Sequence, residues 1–157
     1  MRSRDPIAFR KILPLLEEVM NPEMILVMGK TTWEYLPEDF KQSFSRRIII
    51  VSSTKITLPL GVPLFRKPDE FLEYVEKENN KEFLVVGGTQ LYEKFVDYTN
   101  EVSVCMVKKV SQALPFYSLS PDFLRTLETD FSLKQPGRIF QESGVAGEFF
   151  ILYRKDS

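Results

Sequence analysis

The sequence predicts an α/β fold: a mostly parallel central sheet flanked by helices and closed by an antiparallel strand pair. Three observations lead there. Met24–Met28, Ile48–Val51 and Phe83–Val86 are short unbroken apolar runs, the pattern of parallel strands covered on both faces. Stretches with apolar residues at helical spacing follow these runs, as in a sheet built from crossover units. Late in the chain, Phe131–Phe140 and Glu148–Arg154 read as strands joined through Glu142-Ser143-Gly144, an antiparallel pair.

At 157 residues the chain fits one domain over residues 1–157, long enough to bury about 70% of its unfolded surface. The 21 Lys and Arg nearly balance the 22 Asp and Glu, which argues against a general polyanion binder and so against nucleic acid as partner. No apolar run reaches the roughly 20 residues needed to span a bilayer. Met1 to Asp5 lacks the apolar core of a signal peptide. A single cysteine, Cys105, excludes an internal disulfide and suits a reducing cytosol, so a cytoplasmic location is expected. There is no histidine, which removes imidazole bases and nearly all zinc chemistry. No metal is expected.

Taken in order, Asp5 to Leu13 can start a helix with Phe9, Ile12 and Leu13 on one side. Pro14 either breaks it or opens a second helical turn through Leu15, Leu16, Val19 and Met20. Asn21-Pro22 closes the segment. The first strand then runs into Gly29, and Thr31-x-x-Glu34 has the pattern of a capping box opening a short helix. Pro37 to Phe40 begins a polar connection, and Arg46-Arg47 leads into the second strand, which ends at Ser52-Ser53-Thr54. Pro59 to Phe65 reads as a short strand before Arg66-Lys67-Pro68. A helix starts at Asp69 with Phe71, Leu72 and Val75 as its apolar stripe and ends at Asn79-Asn80. The third strand stops at Gly87-Gly88, and Thr89 opens a helix carrying Leu91, Tyr92, Phe95 and Val96. Glu101 to Val110 alternates as a strand, and Phe116 to Thr129 is irregular, with room for a helical turn after Pro121.

The stretch Met24 to Glu34 organises the rest. A strand, a glycine turn and a helix N-terminus leave unpaired backbone N–H groups and the positive end of the helix dipole pointing outward, and Lys30 adds a mobile charge. A phosphate-bearing ligand fits there, although many α/β proteins have such a junction without one.

The order of these pieces resembles dihydrofolate reductase. The landmarks are Val27-Met28-Gly29-Lys30-Thr31-Thr32-Trp33, then Arg46-Arg47-Ile48-Ile49-Ile50-Val51-Ser52-Ser53, then Val85-Val86-Gly87-Gly88-Thr89-Gln90-Leu91-Tyr92, with Phe150 to Arg154 as the last strand. The likeness is good over residues 24–110 and looser elsewhere. It implies NADPH as cofactor and reduction of 7,8-dihydrofolate to tetrahydrofolate as the reaction, with hydride to C6 and a proton to N5. A catalytically impaired NADPH-binding protein and a related pterin or pyrimidine reductase are the alternatives. The small-molecule substrate would be bound by a monomer.

Residue by residue, the resemblance places Gly29, Lys30, Thr31 and Thr32 at the cofactor pyrophosphate, with Thr89, Gln90, Leu91 and Tyr92 at the facing helix N-terminus. Ser52, Ser53, Arg66 and Lys67 fall near the adenosine 2′-phosphate; Arg66 and Lys67 could instead be a solvated strand end, a reading that stands level for Lys67. Gly87 and Gly88 match paired glycines that approach the cofactor through a cis peptide; alone, they could be a tight turn. Arg46 matches the arginine that grips the substrate's glutamate carboxylate, a task suited to a guanidinium fork. Arg47 reads as a surface charge and Trp33 as core. Asp5 stands four residues before Phe9, as does the family's carboxylate before the phenylalanine that packs on substrate. It would bind the pterin N3 and 2-amino groups and promote protonation at N5, or serve only as an N-cap before Pro6. Leu36 and Cys105 complete the substrate side, Cys105 replacing a threonine.

Other features depart from the family. Phe44-Ser45 replaces a Pro-Gly before Arg46. The family's central first strand, which lies between those matching Phe83–Val86 and Glu101–Val110, is absent, as is its nicotinamide-covering loop. The abrupt opening suggests that Met1 is not the natural start. The chain as given is expected to be poorly stable, with little or no reductase activity.

Overall fold

A computed structural model describes residues 21–78, 80–110, 120–142 and 145–155. The segment Asp5 to Met20, with both of its expected helical turns, lies outside the described residues. Contacts divide the described chain into two compact units, one up to Lys94 and one from Phe95 onward.

The first unit is built on a four-stranded, all-parallel sheet. Its strands are β1 (Ile25–Met28), β2 (Ile48–Val51), β3 (Leu64–Phe65) and β4 (Phe83–Gly87), in the order β3-β2-β1-β4. Leu26, Val27, Met28, Ile48 and Ile50 are sealed from solvent, as unbroken apolar runs in a covered sheet should be. The strand expected over Pro59 to Phe65 shrinks to Leu64–Phe65. Pro59 and Gly61, the latter at φ +95°, form a turn closed by a Val62 N–H bond to the Pro59 carbonyl. Helix α1 (Lys30–Tyr35) follows β1, and α3 (Pro68–Lys77) follows β3. Phe71 of α3 is buried and meets Phe83 edge-on, ring centroids 5.5 Å apart. Glu78, not Asn79-Asn80, caps that helix; Asn79 lies outside the described residues.

One expectation in this unit is overturned. The polar connection after Pro37 is helix α2 (Glu38–Phe44), which runs into a 3-10 turn over Ser45–Arg47. Pro37 sits at the N-cap and Glu38 and Asp39 in the first turn, where negative charge suits the helix dipole. Phe40 is buried, with the Phe44 ring 4.5 Å away at i+4. Two aromatics one turn apart anchor a helix that is otherwise polar.

The second unit is antiparallel. Strand β5 (Glu101–Val110) pairs with β8 (Val145–Arg154), whose opposite edge carries β6 (Phe131–Leu133) and β7 (Arg138–Glu142). The expected closing pair is present as β7–β8, inside this larger sheet. The expected strand over Phe131 to Phe140 splits in two where Pro136-Gly137 interrupts it. The irregular stretch expected over Phe116 to Thr129 is corrected in its described part, where Pro121–Asp130 forms the regular helix α5; residues 116–119 lie outside the described residues. Its Ser120 cap accepts from the Phe123 N–H at 3.1 Å, and Phe123 and Leu127 are buried one turn apart. Helix α4 (Thr89–Phe95) and a 3-10 turn (Val96–Tyr98) lie between β4 and β5.

Among the described residues β4 is hydrogen-bonded only to β1, and β5 only to β8. The two strands belong to separate sheets and do not pair with each other.

Candidate functional site

In a parallel sheet ordered β3-β2-β1-β4 the chain reverses direction between β1 and β4. The crevice beyond the C-terminal ends of those two strands is where α/β sheets take their ligands. Here the Gly29 N–H donates to the Gly87 carbonyl at 2.8 Å. Gly29 is the N-cap of α1, with extended backbone at φ −85°, and its carbonyl receives the first helical bond from Trp33 N–H. The capping box expected at Thr31 does not form, since the N-cap is Gly29, two residues earlier, and no side chain caps the helix. Glu34 instead lies 3.8 Å from the Lys30 ammonium.

This geometry leaves donors unspent. Among the described residues the N–H groups of Lys30, Thr31 and Thr32 have no acceptor. At α4 the Leu91 and Tyr92 N–H groups both donate to the Gly88 carbonyl at 3.1 Å, while those of Gly88, Thr89 and Gln90 have no acceptor among the described residues. The two helix starts adjoin: a Cβ on Gly29 would lie 3.8 Å from Leu91 Cδ1 and 3.9 Å from the Gly88 nitrogen. Leu91 is buried and serves as packing between them.

The glycines differ in what they face. Gly87 has φ +153°, and a Cβ there would fall 2.7 Å from the Oγ1 of buried Thr32. At Gly88 a methyl group would meet nothing within 4 Å among the described residues. The peptide between them is cis.

A basic margin adjoins the crevice at the ends of β2 and β3. Ser52 is buried, its N–H bonded to the Phe65 carbonyl and its hydroxyl accepting from the Thr54 N–H at 3.2 Å. It shapes the loop, and the neighbouring Ser53 is the exposed hydroxyl. Lys30 Nζ donates to the Lys55 carbonyl and Arg66 Nη1 to the Thr54 carbonyl, each at 3.1 Å. Lys30 is thus tethered rather than mobile. Lys67 is exposed. Thr54 and Lys55 escape the sequence reading because they act through backbone carbonyls, for which no side-chain pattern exists.

On the substrate side, Leu36 is buried at the end of α1, and Arg46 is exposed in the Ser45–Arg47 turn without a partner among the described residues. Arg47 is not the surface charge expected. Its Nη1 lies 3.1, 2.6 and 3.3 Å from the carbonyls of Asn21, Pro22 and Met24, and its guanidinium covers the Phe44 ring at 4.7 Å. Trp33 is buried as expected, with Lys41 Nζ 4.7 Å from its ring. Cys105 is on β5, paired with Phe149. Asp5 and Phe9 lie outside the described residues. No group of residues suited to a metal ion occurs among those described, and none of their helices is long and apolar enough to cross a membrane.

Comparison with known proteins points one way. Residues 18–123 match the family described as dihydrofolate reductase. The chain is 30% identical over 151 residues to the dihydrofolate reductase of Heliothis virescens, spanning 90% of this chain and 80% of that protein. It is 30% identical over 90 residues to the bifunctional dihydrofolate reductase-thymidylate synthase of Plasmodium vinckei, covering 54% of this chain and 48% of that one. Among solved structures, Schistosoma mansoni dihydrofolate reductase matches with a TM-score of 0.69 at 22% identity, over 96% of this chain and 87% of that chain. Dihydrofolate reductase from Enterococcus faecalis, complexed with NADP(H) and RAB-propyl, matches with a TM-score of 0.67 at 16% identity, over 94% and 83%. At those identities the structural likeness establishes the fold.

Proposed function

The chain belongs to the dihydrofolate reductase family, a family of NADP-dependent oxidoreductases, and from that premise we propose that it reduces 7,8-dihydrofolate to tetrahydrofolate with NADPH. The observation that carries this reading is the pair of adjoining helix starts at Gly29 and Gly88, with six unspent backbone N–H groups on Lys30, Thr31, Thr32, Gly88, Thr89 and Gln90. Such donors suit a pyrophosphate, and the open space at Gly88 leaves room for it. Ser53, Arg66 and Lys67 supply the hydroxyl and cations for a 2′-phosphate, which distinguishes NADPH from NADH. Bound NADPH supplies the hydride that ends on the pterin C6.

The remaining roles fall to this chain's side chains. Arg46 offers a free guanidinium to the glutamate carboxylate, and Leu36 and Phe9 are assigned to the apolar walls. Asp5 holds the pterin N3 and 2-amino edge and promotes protonation at N5, with Cys105 in place of the family's threonine. The site is that of a cytoplasmic monomer acting on a small molecule, with no nucleic-acid partner.

A second reading is favoured by one observation. β4 and β5 each lack a partner strand on one side among the described residues, which suits an NADPH-binding protein with impaired catalysis. Titration with NADPH and NADH, followed by NADPH oxidation with dihydrofolate, separates the readings. Tight NADPH binding with dihydrofolate-dependent oxidation is expected. Binding without turnover selects the impaired protein, turnover only with another pterin or a pyrimidine selects the related reductase, and absence of NADPH binding overturns the site.

A further inference from the structure

We propose that Arg47 is a positioning residue, fixing the turn from which Arg46 presents its guanidinium; this rests on the reading of Arg46 as the carboxylate-binding group. The two arginines are neighbours in one 3-10 turn, yet their surroundings are opposite. Arg46 is exposed and unpartnered among the described residues, whereas Arg47 is half-buried and places its Nη1 against three backbone carbonyls.

Those carbonyls belong to the turn that feeds β1. The turn is closed by Met24 N–H to the Asn21 carbonyl at 3.2 Å and by Glu23 N–H to Asn21 Oδ1 at 2.9 Å. Asn21 Nδ2 donates to Glu82 Oε2 at 2.9 Å, and the Ile25 N–H donates to the Glu82 carbonyl at 2.9 Å. The guanidinium thus ties the turn before β1 to the start of β2, with Phe44 packed under it, while Asn21 and Ile25 tie the same turn to Glu82 before β4. The backbone of Arg46 is held between Phe44 and Arg47.

Two consequences follow for Arg46. An exposed side chain that must bind a carboxylate loses affinity to the ordering of its own turn, and a turn ordered in advance removes that cost. Arg47 also makes no ion pair among the described residues, because all its acceptors are neutral. Its uncompensated charge adds to the positive potential around Arg46. Lysine could supply the charge and donors but not the flat guanidinium that lies over the Phe44 ring.

The test compares folate with pteroate, which lacks the glutamate tail, by quenching of the single tryptophan, Trp33, in the NADPH-saturated protein. Folate is expected to bind on the order of tenfold or more tightly than pteroate, and Arg46→Met to bring that ratio near one. Arg47→Met is expected to lower the ratio by about threefold or more with Arg46 intact, leaving pteroate and NADPH affinities within about twofold. Arg47→Lys is expected to restore only part of it, and it gives the reading if the methionine variant does not fold. A packing role alone would weaken both ligands alike and leave the ratio unchanged. A wild-type ratio in the Arg47 variants, with the ratio lost in Arg46→Met, overturns the positioning role alone. No preference for folate in the unmutated protein overturns the Arg46 reading, and this one with it.

Discussion

The Tyr92 hydroxyl donates to the carbonyl of Val86 at 2.6 Å, closing a gap that the sheet itself leaves open. Val27 pairs with Val85 and Met28 with Gly87, so Val86 is the extra residue of a β-bulge. The β1–β4 register passes over it, and a side chain from the following helix bonds its carbonyl. The bond staples α4 to β4 across the Gly87-Gly88 turn, just where the unspent N–H groups gather. Tyr92→Phe removes the donor and leaves a part-buried carbonyl unsatisfied, a cost of about 1–3 kcal/mol. Denaturant unfolding should show that loss, and NADPH titration a weakened affinity. Unchanged stability and affinity would mean that water replaces the hydroxyl at no cost.

Gly87 and Gly88 should separate sharply under the same substitution. In Gly87→Ala the new methyl meets Thr32 Oγ1 in a backbone conformation that disfavours a side chain. A loss of about 2 kcal/mol or more is expected, partly recovered in the double variant Gly87→Ala/Thr32→Ala. Gly88→Ala meets nothing among the described residues, so stability should stay within about 0.5 kcal/mol. If the cofactor occupies that open space, NADPH affinity should nevertheless fall by on the order of tenfold. An alanine at Gly88 that leaves NADPH binding unaffected would put the cofactor elsewhere.

Cofactor choice should depend on the basic margin. Arg66 is already aligned by its bond to the Thr54 carbonyl, and Ser53 and Lys67 stand exposed beside it in sequence and in the loop pair. NADPH is expected to bind more tightly than NADH. Arg66→Ala should reduce that preference by on the order of tenfold, with a smaller effect from Lys67→Ala. Added salt should narrow the preference in the unmutated protein, since the cations are solvent-exposed. Equal affinities for the two cofactors would remove Arg66 and its neighbours from the site.

How much of this was legible depended on whether the deciding interaction was local. β2 begins and ends where its residues suggest and β1 and β4 differ by one residue, because unbroken apolar runs have nowhere to go but a covered sheet, while β5 keeps its expected bounds through its alternation. Helix α5 carried local signals in Ser120, Pro121 and the Phe123–Leu127 spacing, obscured by the irregular stretch before it. The start of α1 was not legible: Gly29 becomes the cap because its N–H is bound by Gly87, far along the chain. The role of Arg47 was hidden for the same reason. Nothing local distinguishes it from Arg46, and only the β1 turn carbonyls decide which arginine is spent and which is free.

The sheet edges make the last prediction, and it bears on whether the chain turns over substrate. β4 reads Phe-Leu-Val-Val-Gly, with no charge or proline of the kind that protects an edge strand, yet it is bonded on one side only among the described residues. Phe83 to Val86 are only half-buried, unlike the sealed residues of β1 and β2. β5 is likewise bonded only to β8 over its ten residues. Each backbone group removed from water without a partner costs about 1–3 kcal/mol, and several such losses rival the whole stability of a domain, about 5–15 kcal/mol. Among the described residues nothing pairs with the outward edges of these strands, and β4 is only half-buried, so both are expected to be weakly held. Hydrogen exchange should find the amides of β4 and β5 opening well before those of β1 and β2. Denaturant should unfold the 157-residue chain at a low midpoint, and NADPH oxidation with dihydrofolate should run well below about 1 s⁻¹, the lower end of ordinary turnover. A monomer that resists denaturant, protects its β4 amides and turns over at about 1 s⁻¹ or faster would show that neither edge needs a further strand.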